Sequence, residues 1–220
     1  MLSYTEENYL KALLMLTTEH AEKSEAGTNE LANYLHVKPA TANDMLKKLK
    51  EKKLISYEKY GKITLTEDGR IIGIGVVRKH RLWETFLFEK LGFTWDEVHE
   101  VAEQLEHIQS EKLVEKLDQF LKYPQFDPHG DPIPKSDGEL PKMSTTLLSE
   151  IKIGQLCNVV AVKDTSVVFL QYLHQLSIGV GTKIKVIDKV EFDGSFFVEV
   201  DKKKASVSLK LTESLLVKLI

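Results

Sequence analysis

TNELANYLHVKPATANDMLKKLK, residues 28–50, decides how the chain reads. Thr28 suits a helix cap, and Leu31, Ala32 and Leu35 then recur at helical spacing. His36-Val37-Lys38 is a break of three residues, the length of one tight turn. Pro39 follows, at the first helical position that proline favours. Met45, Leu46 and Leu49 face inward from there, and Lys47, Lys48 and Lys50 outward. Two helices around a tight turn make a helix-turn-helix.

The flanks extend the pattern. Upstream, Thr5–Glu19 reads as a helix capped by Thr5, with Leu10, Leu13, Leu14 and Leu16 as its apolar stripe. Downstream, Leu54–Glu58 and Ile63–Leu65 read as short strands around a turn that contains Gly61. Helices followed by a basic hairpin give a winged helix-turn-helix over residues 1–70. Its third helix would enter a major groove. Lys38, Pro39, Ala40, Thr41 and Asn43 occupy the end that meets base edges, and Thr28 joins this DNA-facing set. Asn43 suits adenine, while Ala40 or Thr41 suits a thymine methyl. Lys47, Lys48, Lys59 and Lys62 would neutralise phosphates of double-stranded DNA.

The charge distribution agrees. The 220 residues carry a net charge of −3, yet His36–Lys62 holds eight lysines against three acids. Ile71–Gln125 reverses this, with seven basic and ten acidic residues. The N-terminus has no basic n-region or apolar h-region, and the longest apolar-plus-glycine run is Ile71–Val77. A cytosolic protein with no membrane partner is therefore expected. The one cysteine, Cys157, excludes an intrachain disulfide framework and a CxxC metal site, and reads as a buried small hydrophobe.

Residues 71–122 are helical in pattern and rich in metal donors. His80 and Glu84 stand four apart, on one helix face. After Thr94 a second helix carries His99, Glu103, Glu106 and His107 within an arc of about 100°. Imidazoles and carboxylates without thiolate suit Mn²⁺ and Fe²⁺ as well as Zn²⁺. A solvated acidic face is the plain alternative, which would leave a winged-helix regulator that answers to a small organic ligand. The chain has no HExxH, P-loop, GxGxxG or GxSxG, and Glu103 pairs with Glu106 and His107 instead of forming the Glu-x-x-His that a di-metal site wants from each of two helices, so an enzyme is not expected. Five of six prolines fall in 123–143, a linker closing a region that spans 71–143. Residues 150–220 turn to β-branched runs. Strands are expected near Gln155–Lys163, Lys183–Phe192, Ser195–Asp201 and Ala205–Leu211, with a helix at Val167–Leu176, forming a small barrel. The fold class is mainly α with a small β domain.

Glu7-Asn8-Tyr9-Leu10, Val37-Lys38-Pro39-Ala40-Thr41, Arg78-Lys79-His80-Arg81-Leu82-x-Glu84, Val98-His99 and Glu106-His107 together resemble the diphtheria toxin repressor family. Asp127–Pro134 resembles a segment that follows that family's dimerisation helices, and residues after 150 its SH3-like third domain. The resemblance implies a homodimeric, metal-dependent repressor of metal-uptake genes that binds operator DNA. It also implies two metal sites. One would take Asn8, Glu103, Glu106 and His107; the other would take His80, Glu84 and His99, with Asp164 from the third domain. Glu103 and Asn8 stand where the iron-type branch has cysteine and methionine, so the resemblance favours Mn²⁺ over Fe²⁺.

Overall fold

The computed structural model describes residues 2–19, 25–57 and 62–220. By packing, the chain falls into two compact units. The first is Met1–His80, Glu103–Glu115 and Pro134–Leu140; the second is Arg81–Ala102, Lys116–Ile133 and Pro141–Ile220. The helical middle of the chain is thus shared between them.

The first unit opens with α1 (Tyr4–Leu14), which continues as a π-helical turn over Met15–Glu19. Its cap is Ser3, not the expected Thr5. Ser3 Oγ accepts from the Glu6 N–H, and Glu6 Oε2 accepts from the Ser3 N–H at 2.9 Å. Next come β1 (Ala26–Gly27), α2 (Thr28–Tyr34) and α3 (Pro39–Glu51). Here too the cap lies one residue earlier than read: it is Gly27, whose N–H donates to Glu30. The turn between α2 and α3 holds because His36 adopts a left-handed φ of 52°. That lets the His36 and Val37 N–H groups close on Asn33 and Ala32 carbonyls. The wing is β2 (Ile55–Tyr57) antiparallel to β3 (Lys62–Leu65), with β1 on the other edge of β3. Leu10, Leu13, Leu31, Leu46, Leu49 and Ile63 are sealed inside this winged helix.

Three helices follow: α4 (Glu67–Leu91), α5 (Val98–Leu105) and α6 (Glu111–Phe120). Near its start α4 passes against the carbonyl of Leu54. A Cβ at Gly69 would lie 2.0 Å from that oxygen. Gly69→Ala is therefore expected to push α4 off the wing and cost about 2–3 kcal/mol in chemical denaturation. Wild-type stability in this variant would refute the close packing.

The second unit holds β4 (Thr146–Leu147), β5 (Leu156–Val162), α7 (Val167–Gln175), β6 (Lys183–Lys189), β7 (Phe196–Val200), β8 (Lys203–Val207), α8 (Leu209–Ser214) and β9 (Leu215–Leu219). The strands make one antiparallel sheet, ordered β4-β9-β5-β6-β7-β8. Alternating burial along β7 shows why: Phe196, Val198 and Val200 point into the core and Phe197 and Glu199 out. Cys157 is buried there as expected, its thiol pushed up to about 11 by burial. Four of these strands and α7 match the sequence reading within a few residues; β4, α8 and β9 are additions. Among the described residues no helix is long and apolar enough to cross a membrane.

Candidate metal centre and nucleic-acid interface

The expected donor stripe after Thr94 does not form on one helix. α5 ends at Leu105, so Glu106 and His107 lie in the turn that follows. Donors gather within each of the two units.

In the second unit, Glu84 on α4 is buried. Its Oε1 lies 3.1 Å from Nδ1 of His99 on α5, and its Oε2 lies 3.7 Å from Nδ1 of His129. Glu84, Asp127 and His129 place donor atoms all within 4.8 Å of one another, and all three are buried. The imidazole of His129 stacks on Trp95, and its Nε2 is 3.0 Å from the Trp95 carbonyl. A carbonyl only accepts, so Nε2 donates to it, and Nδ1 faces the carboxylates. Asp127 Oδ1 is fixed by the N–H groups of His129 and Asp131. Burial first, then the charges of Glu84 and Asp131, push the Asp127 carboxyl well above the usual carboxylate range; Arg81 opposes them. Two carboxyls converging in a buried place repel unless a proton or a cation lies between them. The donor set fits a divalent cation. Asp164 is half-buried just beyond β5, two residues past Val162, whose N–H donates to the His129 carbonyl. Its carboxylate accepts from the Ser166 N–H.

In the first unit, Glu106 and His107 meet α1. Glu106 Oε2 lies 2.5 Å from Nδ1 of His80 and 2.7 Å from Nζ of Lys11. Burial raises the Glu106 carboxyl, but the His80 hydrogen bond and the Lys11 charge outweigh it and hold the pKa below its usual value. His107 Nδ1 lies 2.6 Å from Glu7, and Tyr4 stacks on the ring. Asn8, expected as the α1 donor, is exposed, as is Glu103. The carboxylate that meets His107 is that of Glu7, one residue earlier.

The DNA-facing candidates differ in their freedom. Lys38, Pro39, Ala40 and Thr41 are exposed around the first turn of α3, and Lys48 further along it. Lys47 pairs with Asp44, and Lys62 with Glu25. Asn43 Nδ2 donates to the Pro39 carbonyl and its Oδ1 accepts from the Tyr57 hydroxyl, so the amide ties α3 to β2. Thr28 Oγ1 is buried without a partner among the described residues. Lys59 lies outside them.

Comparison with known proteins bears on the whole arrangement. The iron dependent repressor N-terminal DNA binding domain matches residues 1–63. The metal binding and dimerisation domain of the same repressors matches 66–135, and the FeoA domain matches 146–219. A solved manganese-dependent transcriptional repressor in complex with manganese is similar at 33% identity and a TM-score of 0.83, covering 98% of this chain and 100% of that one. The chain belongs to the iron-dependent repressor family, that of the diphtheria toxin repressor. The diphtheria toxin repressor of Corynebacterium diphtheriae is 26% identical over 198 residues, 84% of this chain and 85% of that protein. Iron-dependent repressor IdeR of Mycobacterium tuberculosis is 33% identical over 130 residues, 59% of this chain. The match takes in 55% of IdeR, so the chain spans about half the length of that relative.

Within this member of the iron-dependent repressor family, sequence reasoning did not single out Asp127 and His129 as candidate donors. The signal was present. Asp127-Pro128-His129-Gly130 pairs two donors with a proline and a glycine, which is how a loop turns side chains inward.

Proposed function

We propose that the chain is a metal-dependent transcriptional repressor and not an enzyme. It acts in the cytosol as a homodimer on double-stranded operator DNA of metal-uptake genes. The observation that carries this reading is the buried set Glu84, Asp127 and His129, whose donor atoms all lie within 4.8 Å of one another. His99 and Asp164 are the further donors, and Mn²⁺ is the cognate ion in preference to Fe²⁺, because the donors are nitrogen and oxygen without sulfur. A bound divalent cation supplies positive charge that lets both carboxyls ionise. Glu84 and Asp127 then hold α4 and the 127–131 loop together, which biases the chain toward one conformation. Phe88 and Leu91 on α4 and Phe120 on α6 are exposed, which supports a partner subunit covering them.

Lys38, Ala40, Thr41 and Lys48 are the groups assigned to DNA. Lys48→Ala should weaken binding to all sequences and lower the slope of log affinity against log salt by about 0.9, the share of one phosphate. An unchanged slope removes Lys48 from the interface.

The test is binding to a DNA fragment selected from a random pool with Mn²⁺ present, repeated anaerobically with Fe²⁺ and under chelator. Binding should vanish under chelator, and Mn²⁺ should activate at least as well as Fe²⁺ at saturation. A second reading, activation by a small organic ligand, has a place to act: a cleft of about 1160 Å³ lined in part by Ile71, Ile74, Arg78 and Lys79. Full binding under chelator would favour that reading.

A further inference from the structure

Lysines gather at one end of the C-terminal sheet, far along the chain from the winged helix. Asn158 of β5 pairs with Lys183 of β6 on one side and with Lys218 of β9 on the other. The next row runs Leu156, Lys185, Glu199 and Lys204 across β5, β6, β7 and β8. Both rows lie on the outer face, because Cys157, Ile184 and Val217, which alternate with them, are buried in the core. At the same end Asp201-Lys202 turns β7 into β8, with Val200 opposite Lys203. Both turn residues have a left-handed φ, 49° and 66°, so a lysine stands where glycine is easier. Lys183, Lys185, Lys202, Lys203, Lys204 and Lys218 are all exposed, and none makes an ion pair among the described residues. Glu199 and Asp201 are the acids of these rows and this turn.

We propose that this lysine-rich end of the sheet is a second DNA-binding surface, which takes phosphates of duplex beyond the segment that the winged helix reads. The inference goes beyond the function proposed above and rests on its DNA-binding part. Lysine on an edge strand is an ordinary guard against strand pairing, and β8 is an edge. β6 is two strands in from that edge, with nothing to guard, yet it presents Lys183 and Lys185 on one face. Like charges so placed repel unless an anion lies over them. The spacing suits a polyanion. From β9 to β8 is four strand steps, about 19 Å at the usual strand separation. One strand of B-DNA presents a phosphate every ~3.4 Å of axis, about five over that distance. Lysine ammonium groups meet phosphate as point charges and choose no base. The surface therefore adds affinity and salt dependence, and leaves sequence choice to α3.

The experiment measures binding, with Mn²⁺ present, to two duplexes. One is the shortest that retains selection from a random pool; the other extends it at each end by ~10 bp, one helical turn. Both are titrated against salt for wild type, for Lys183→Gln with Lys185→Gln, and for Lys183→Arg with Lys185→Arg. Lys210→Gln is the control, on α8 beyond the opposite end of β8. Wild type should bind the long duplex more tightly than the short one, with a steeper slope of log affinity against log salt. The Gln pair should lower the slope on the long duplex by about 1.8, the share of two phosphates, and leave the short duplex unchanged. The Arg pair and Lys210→Gln should keep the wild-type slope. An equal slope for wild type and the Gln pair on the long duplex overturns the inference. So does an equal loss in Lys210→Gln, which would be an effect of net charge and not of this face. Vesicles of phosphatidylserine and phosphatidylcholine test the other polyanionic partner. Wild-type binding to them that the Gln pair loses, with its DNA slope intact, would give the face to a lipid surface instead. Binding with the same affinity and slope on both duplexes defeats this inference alone. A wild-type chain that binds neither duplex defeats the DNA-binding reading, and this inference with it.

Discussion

Glu84→Ala is expected to lower Mn²⁺ affinity by more than about 100-fold and to abolish Mn²⁺-stimulated DNA binding in a chain that remains folded. Outer-shell partners of metal ligands already cost 10–100-fold when removed, so a direct donor should cost more. Glu84 presents one oxygen to His99 and the other to His129, so no neighbour can take its place. His129→Ala should do nearly as much, because the Nε2 bond to the Trp95 carbonyl turns Nδ1 toward Glu84. Asn8→Ala is the control: its side chain is exposed, and affinity should stay within about twofold. The sign of the pH effect follows from Asp127. Its carboxyl holds a proton at pH values where an ordinary aspartate has lost it. Cation binding must expel that proton, so Mn²⁺ affinity should rise with pH until the metal-free Asp127 ionises by itself. Calorimetry across pH reads both results. Wild-type Mn²⁺ affinity in Glu84→Ala would place the activating ion elsewhere.

The winged helix was legible because its signals are local and agree. Pro39 at the first helical turn, the three-residue break before it and the apolar spacing of α3 all demand one answer. The caps were misplaced by one or two residues because Ser3, Thr5, Gly27 and Thr28 are all plausible caps, and only the backbone chooses. Asn8, the α1 donor that the resemblance implies, is exposed. At 100° per residue Glu7 lies within about 60° of Leu10 and Leu14, whereas Asn8 lies more than about 100° from either. The side chain on the buried arc is therefore Glu7. The single stripe of His99, Glu103, Glu106 and His107 failed for another reason. Helical periodicity assumes that the helix continues, and α5 stops at Leu105. Asp127 and His129 had no periodicity to announce them. They are candidate donors on a loop, set by turn geometry and by the close approach of a distant strand, and neither leaves a repeating pattern.

That close approach carries the last expected result. Gly130 has a φ of +89°, and a Cβ there would stand 2.1 Å from the Val160 carbonyl oxygen and 2.5 Å from Ala161. The surrounding loop cannot yield easily. The Asp127 N–H donates to the Asp131 carbonyl, the Val162 N–H to that of His129, and Arg81 to that of Pro132. Gly130→Ala must therefore move the loop away from β5 and carry Asp127 and His129 with it. A left-handed alanine costs about 1–2 kcal/mol and overpacking against backbone about 1–3 more, so a loss near 3 kcal/mol is expected. Mn²⁺ affinity should fall as well, because two of its donors are displaced. Gly154→Ala separates the two causes. Its φ of +86° is nearly the same, but a Cβ there meets nothing within 4 Å. That variant should lose only the backbone share, about 1–2 kcal/mol, and should bind Mn²⁺ as wild type does. Chemical denaturation and Mn²⁺ titration of both variants give the comparison. If the two lose equal stability and both keep wild-type affinity, contact with Val160 is not what positions Asp127 and His129.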